Sequence, residues 1–239
     1  SLGWLGNWGM AATEPSKDYV HQLLAKALAV NPNVELHCVN ISSYEKYFYD
    51  WSQITTDFSK YVDYDADIIV STFGANVKNG SNEGDDGFEN DKTFTKEHYK
   101  AIVDHFNPNG DAKVIAGVTT LTNTEISTVI EQAAKEYGYS FVDMSDLTGD
   151  EYTAKYYAED LKAKFGVATI NDGVLKHPGN DGMEEMANRL WTALNPLVKP
   201  KTETVLKAYT FDSSNEGWSG NNATPTVEDG CLKITTSNS

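Results

Sequence analysis

A chain of 239 residues with a net charge of −16 argues against nucleic acid as a partner, because neutralising phosphates demands clustered lysine and arginine. It argues equally against an anionic membrane surface, and no apolar run approaches the roughly 20 residues needed to span a bilayer. A hydrophobic share of 40% suffices to bury the core of one medium domain plus a remnant, or of two small ones.

In chain order, Asp18 to Val30 is predicted as an amphipathic helix, with Tyr19, Val20, Leu23, Leu24, Ala27 and Leu28 at helical spacing, stopped by Asn31-Pro32-Asn33. Val34 to Val39 reads as a short strand. Ala66 to Phe73 is a strand whose run of Ile68, Ile69 and Val70 suits a sheet covered on both faces. Thr95 caps a helix reaching Phe106, and Asn107-Pro108-Asn109-Gly110 closes it. Lys113 to Thr119 is the next buried strand, Glu125 to Tyr137 a helix ended by Gly138, and Ser140 to Asp143 a further strand. A last helix carries Met183, Met186, Ala187, Leu190, Trp191 and Leu194 on one face.

This alternation predicts an α/β fold with a parallel sheet and helices on both of its faces. Active sites of such sheets lie at the carboxyl ends of the strands. Three places qualify: the residues after Val39, those after Phe73, and the loop carrying His177. In Asp172-Gly173-Val174-Leu175-Lys176-His177-Pro178-Gly179, the proline puts His177 in a turn ahead of a rigid helix, with Asp172 close before it. That is a position suited to a general base. Gly74 and Asn76, after Phe73, suit an oxyanion hole, since glycine lets the backbone approach and the amide donates without titrating; the alternative is that Asn76 caps the next turn. Trp4 and Trp8, beside glycines, either line a sugar-binding surface or seal the core.

His21, His37, His98 and His105 lie in regular elements and read as structural. His98 and His105 lack a third ligand, so no metal site is expected, and no cofactor. Asn82-Glu83-Gly84-Asp85-Asp86-Gly87 lacks the spacing and closing glutamate of a calcium loop, and reads as solvated. The two cysteines, Cys38 and Cys231, form neither a metal pattern nor a disulfide framework.

On these residues the chain resembles the SGNH (GDSL-like) hydrolases, in a carbohydrate-esterase-like branch, over roughly residues 1 to 196. Gly74-Ala75-Asn76-Val77 is similar to the family's third block, Asp172 through Met183 to its fifth, and Gly6 to Ala12 running into Asp18-Tyr19-Val20-His21 to the segment after its nucleophile block. The resemblance implies a three-layer α/β/α flavodoxin-like parallel sheet, Asn76 and Gly74 as oxyanion donors, and His177 as general base. It also implies a serine nucleophile, expected upstream of Ser1, because no Gly-Asp-Ser or Gly-Asn-Ser occurs in the chain. Two positions depart from the family. Its acid stands three residues before the histidine, where this chain has Val174, with Asp172 two residues earlier. Its second block offers a glycine N–H, where this chain has Asn40-Ile41-Ser42, leaving Ser42 as donor.

Residues 197–203 read as a Pro- and Lys-containing linker. Residues 204–239 are predicted as a short all-β segment with an Asp229-Gly230 turn, resembling the start of a carbohydrate-binding β-sandwich that is too short to be complete. Both ends of the chain read as cut. The expected activity is that of a carboxylic ester hydrolase, secreted and microbial, removing O-acyl groups, acetyl foremost, from an acylated polysaccharide or oligosaccharide. The alternatives are a catalytically inactive domain of the same fold that binds glycan or a partner, and a lipase or thioesterase.

Overall fold

The structure, a computed structural model, describes the chain except for residues 1–3, 7, 10, 78, 80–92, 202–210, 212, 213, 216, 220–222, 230 and 237–239, and the side chains of 53, 54, 57 and 236. Internal contacts divide it into two units, Ser1–Lys201 and Thr202–Ser239.

The first unit is organised by a three-stranded parallel sheet of β1 (Ile68–Ser71), β2 (Lys113–Thr119) and β3 (Ser140–Met144), in that spatial order. Ile69 is in register with Val114, and Ala116 with Phe141, so β2 is the central strand. Parallel neighbours must be joined by crossovers, here α4 (Lys96–Phe106) and α5 (Thr124–Tyr137). Both pack on the side of β2 that presents Val114, Ala116 and Val118, through Tyr99, Ile102, Ile126 and Ile130. Ile115 points the other way, into a cluster formed with α1 (Tyr19–Val30) and α8 (Asn180–Leu194) through Leu23, Ala27, Met183, Met186 and Leu190. Burial on both faces explains why β2 is apolar from Val114 to Val118 rather than alternating.

The predicted helices start and stop within one residue of their expected bounds because their caps are written in the sequence. Thr95 Oγ1 accepts from His98 N, and His98 Nδ1 accepts in return from Thr95 N, a reciprocal capping box closed by histidine instead of glutamate. Asn123 caps α5, and Gly138 ends it at φ +74°. The remaining helices are short: α2 (Ser42–Tyr47), α3 (Trp51–Asp57), α6 (Ala158–Phe165) and α7 (Asp172–Leu175). No helix among the described residues is long and apolar enough to cross a membrane.

One predicted element does not form. Residues 34–39 belong to no sheet among the described residues, and most of them are exposed. A strand is defined by its ladder, and these residues have no partner strand. Val34 instead packs with the α1/α8 cluster, while Val39 and Ile41 pack with the α4/α5 cluster.

The second unit contains a two-stranded antiparallel sheet, β4 (Ala223–Glu228) and β5 (Cys231–Thr236), running from Ala223↔Thr236 to Glu228↔Cys231. Asp229 has φ +53°, the positive value that primed hairpin turns take at their first central position. Pro225 is tolerated in β4 because each strand of a two-stranded sheet is an edge. The predicted β stretch from Thr204 to Phe211 lies, apart from Phe211, outside the described residues.

Asp18 is the most heavily bonded cap. Only 2% exposed, its carboxylate accepts from Gly9 N at 3.0 Å, His21 N at 2.8 Å and His21 Nδ1 at 2.8 Å. Replacing it by alanine removes the cap and leaves the part-buried Gly9 N–H without its acceptor, so Asp18→Ala should lower unfolding free energy in urea by about 1–3 kcal/mol. A loss below about 0.5 kcal/mol, the range of ordinary surface substitutions, would contradict this account of α1.

Candidate active site

His177 is fixed by its own chain. Asn171 caps α7, its side-chain oxygen accepting from Gly173 N at 2.7 Å, and His177 N closes the following turn on Val174 O at 3.0 Å. Val174 anchors this turn in a small apolar cluster with Ala11, Ala154 and Leu161. Behind the histidine, Ala154 N donates to His177 O at 2.8 Å, and Pro178 bridges to Thr153. Gly182, in the first turn of α8, must be glycine, since a Cβ there would lie 2.1 Å from Tyr152 O.

The imidazole is held by a backbone carbonyl. Its Nδ1 lies 2.5 Å from Gly173 O. A carbonyl only accepts, so Nδ1 carries the proton, and the lone pair of the neutral ring resides on Nε2. Nε2 has no hydrogen-bond partner among the described residues. Burial lowers the His177 pKa from its ordinary 6.5, while the bond to Gly173 works in the opposite direction and more weakly. Trp4, 43% exposed, meets the ring edge-on at a centroid distance of 4.7 Å. Asp172 is exposed and makes no hydrogen bond to His177. Val174, at the position three before the histidine, is buried and apolar.

The turn after β1 is organised around a residue that the sequence did not single out. Gly74 adopts φ +126° and opens a turn closed by Val77 N donating to Gly74 O at 3.3 Å. Glu45, on α2 and 5% exposed, reaches into this turn. Its Oε1 accepts from Gly74 N at 2.7 Å and from Asn76 N at 3.3 Å, and its Oε2 from Asn76 Nδ2 at 2.6 Å. Asn76 itself is exposed. The Ser42 N–H donates to Asn40 Oδ1 at 2.9 Å, at the start of α2. Of the donors expected at an oxyanion hole, the Gly74 and Ser42 N–H groups therefore already have acceptors, and Asn76 retains one amide hydrogen. Glu45 stands three residues before the buried Phe48, an acidic residue on an apolar helical face, which is the one signal that pointed to it.

No hydrogen bond or ring contact among the described residues joins His177 to Asn76, Gly74 or Ser42. The segment from Trp4 to Tyr19 touches both regions. Trp4 meets His177, and Thr13 donates through N and Oγ1 to Asn180 Oδ1 at 2.9 and 3.1 Å, just past the histidine. At its other end Tyr19 OH pairs with Thr72 Oγ1 at 2.7 Å, at the carboxyl end of β1. Trp8, in the same segment and half-buried, packs against Phe165 and donates its Nε1–H to Ala12 O at 2.8 Å.

The other histidines have structural contacts: His21 on Asp18, His37 stacked on Tyr64, His98 in its capping box, and His105 edge-on to Trp51. The acidic loop at residues 82–87 lies outside the described residues. No group of three His, Cys, Asp or Glu side chains able to hold a metal occurs among the described residues. Comparison with family models, with curated proteins and with solved structures finds no match to this chain.

Two outcomes are expected. In an NMR titration the His177 ring should protonate below 6.5. Because the unfolded imidazole binds its proton at the higher pH, stability should fall as pH drops from about 6.5 toward the folded value. A midpoint at or above 6.5 would contradict the burial argument. Gly74→Ala should cost about 1–3 kcal/mol in chemical denaturation, from positive φ and from crowding by Ile130, Thr122 and Ile126 at 3.0–3.2 Å; a neutral substitution would show that the turn is not held as described.

Proposed function

We propose that the chain carries the general base and an oxyanion donor of an SGNH-type serine esterase that removes O-acyl groups, acetyl foremost, from a carbohydrate polymer outside the cell. The observation that carries the reading is His177, with Nδ1–H held by Gly173 O at 2.5 Å and Nε2 without a hydrogen-bond partner among the described residues. This tautomer is the one a base needs, and a lowered pKa keeps it unprotonated at neutral pH. The Gly173 carbonyl takes the orienting role that a carboxylate has in other triads, and Asp172 has no part in it.

The nucleophile in this reading is a serine outside residues 1–239. Nε2 of His177 takes its proton as the serine oxygen attacks the ester carbonyl. The oxyanion accepts from Asn76 Nδ2–H, and the imidazolium returns the proton to the departing sugar alkoxide. Water then repeats the sequence on the acyl-enzyme. Trp4, exposed beside the base, offers its ring to a sugar face.

The finer architecture proposed is a three-layer flavodoxin-like sheet with one more parallel strand beside β1. Ile68, Ile69 and Val70 are only half buried, yet their composition is that of a strand inside a sheet. Residues 34–39 pair with no strand among the described residues, and Val34 and Val39 are engaged by the two opposite clusters. A strand inserted between the two would pair both, and its carboxyl end would deliver the nucleophile. The second unit is proposed as part of a glycan-binding β-sandwich.

A second reading, a non-catalytic glycan- or partner-binding domain on this fold, is favoured by the donors already engaged by Glu45 and Asn40. Hydrolysis of p-nitrophenyl acetate by residues 1–239 and by the protein extended upstream separates the two. The esterase reading expects activity only in the extended form, reduced about 10²–10³-fold by Asn76→Ala and to near background by His177→Ala. Activity in neither form would leave the binding reading, and near-wild-type rates in either variant would overturn the roles given to Asn76 and His177.

A further inference from the structure

The geometry points to Glu45 as the positioning residue of Asn76, holding its amide so that one N–H is paired internally and the other stays open to a ligand oxygen. This inference rests on the esterase reading for its catalytic consequence, though not for the clasp itself.

A buried carboxylate persists only where donors satisfy it, and among the described residues Glu45 collects all of its donors from the stretch Gly74 to Asn76. The two main-chain bonds fix the turn, and the side-chain bond, at 2.6 Å, fixes the amide. A carboxylate only accepts, so the nitrogen of Asn76 and not its oxygen must face Glu45. An amide nitrogen carries two hydrogens, and Glu45 consumes one. The second has no partner among the described residues, and Asn76 is exposed. An unclasped, exposed asparagine would rotate freely and would present its oxygen as often as its nitrogen. The clasp removes that alternative, which is the preorganisation that makes a donor effective toward a developing negative charge.

The clasp also brings a negative charge near the site of a negative transition state. Three N–H donors offset that charge, and the direction of the Glu45→Gln effect tests the balance, since the glutamine removes the charge together with one of the two acceptor oxygens. The test has two arms. In ¹⁵N-correlated NMR spectra of residues 1–239, the two Asn76 side-chain protons should differ widely in shift and exchange slowly with water. In Glu45→Gln they should draw together and exchange faster; an unchanged Asn76 amide would overturn the proposal whatever the fate of the esterase reading. In the full-length enzyme, Glu45→Gln should lower kcat by about 10²-fold, the size of losing one oxyanion donor, with KM little changed. The double variant with Asn76→Ala should be no slower than Asn76→Ala alone. A faster Glu45→Gln enzyme, or losses that multiply in the double variant, would overturn it. Should Asn76→Ala run at the wild-type rate, the esterase reading fails while the NMR arm still decides the clasp. Circular dichroism verifies folding; if Glu45→Gln unfolds, Glu45→Asp, which draws the carboxylate back by one methylene, is measured with the same pattern expected.

Discussion

Burial of β2 on both faces is the constraint from which the rest of the first unit follows. Val114, Ala116 and Val118 face one helix pair and Ile115 the other, so the strand has no solvated face on which to carry polar chemistry. Polar groups are driven to its ends. Thr119 and Thr122, both buried at the carboxyl end, satisfy one another locally, with Thr119 N donating to Thr122 Oγ1 at 3.3 Å. The same pressure acts on the loops beside it. Any functional group at this edge must be brought in by the chain leaving a strand or entering a helix, which is where the Gly74 turn stands and where α1 begins against Thr72.

Two buried carboxylates make those loops rigid. Asp18 gathers Gly9, the start of α1 and the His21 ring, and Glu45 gathers the turn after β1. Each is nearly inaccessible and engaged by N–H donors, which for Asp18 include the His21 ring nitrogen. A buried charge without donors costs several kcal/mol, so loop conformations that withdraw a donor are disfavoured. Positions on irregular chain thereby acquire the definition normally supplied by helices and strands. His177 reaches the same end by other means: a capped single turn of helix, a carbonyl for its ring, and an apolar anchor in Val174.

The elements with local signals were legible in the sequence. Apolar periodicity and caps placed α1, α4, α5 and α8, because Asp18, Thr95, Asn123 and Gly138 act within a few residues of their own position. His177 and Asn76 stood out as polar residues at strand or helix boundaries. What depends on distant partners was not legible. Glu45 engages a turn 29 to 31 residues away, and its place on an apolar helical face hints at burial without identifying that partner. Residues 34–39 have strand composition but find no ladder, since pairing is a property of two segments and composition of one. Asp172, the nearest acid to His177 in sequence, is exposed, because a helical turn places the Gly173 carbonyl at the ring instead.

The central claim is that His177 is a general base awaiting a serine from a neighbouring strand. The most direct measurement is reaction of the natural-length protein with a fluorophosphonate, followed by mass mapping of the modified peptide. The account requires one serine, N-terminal to Ser1, to be phosphonylated, and requires that labelling to vanish in His177→Ala. Absence of labelling in a folded protein, or labelling that persists undiminished in His177→Ala, would contradict it.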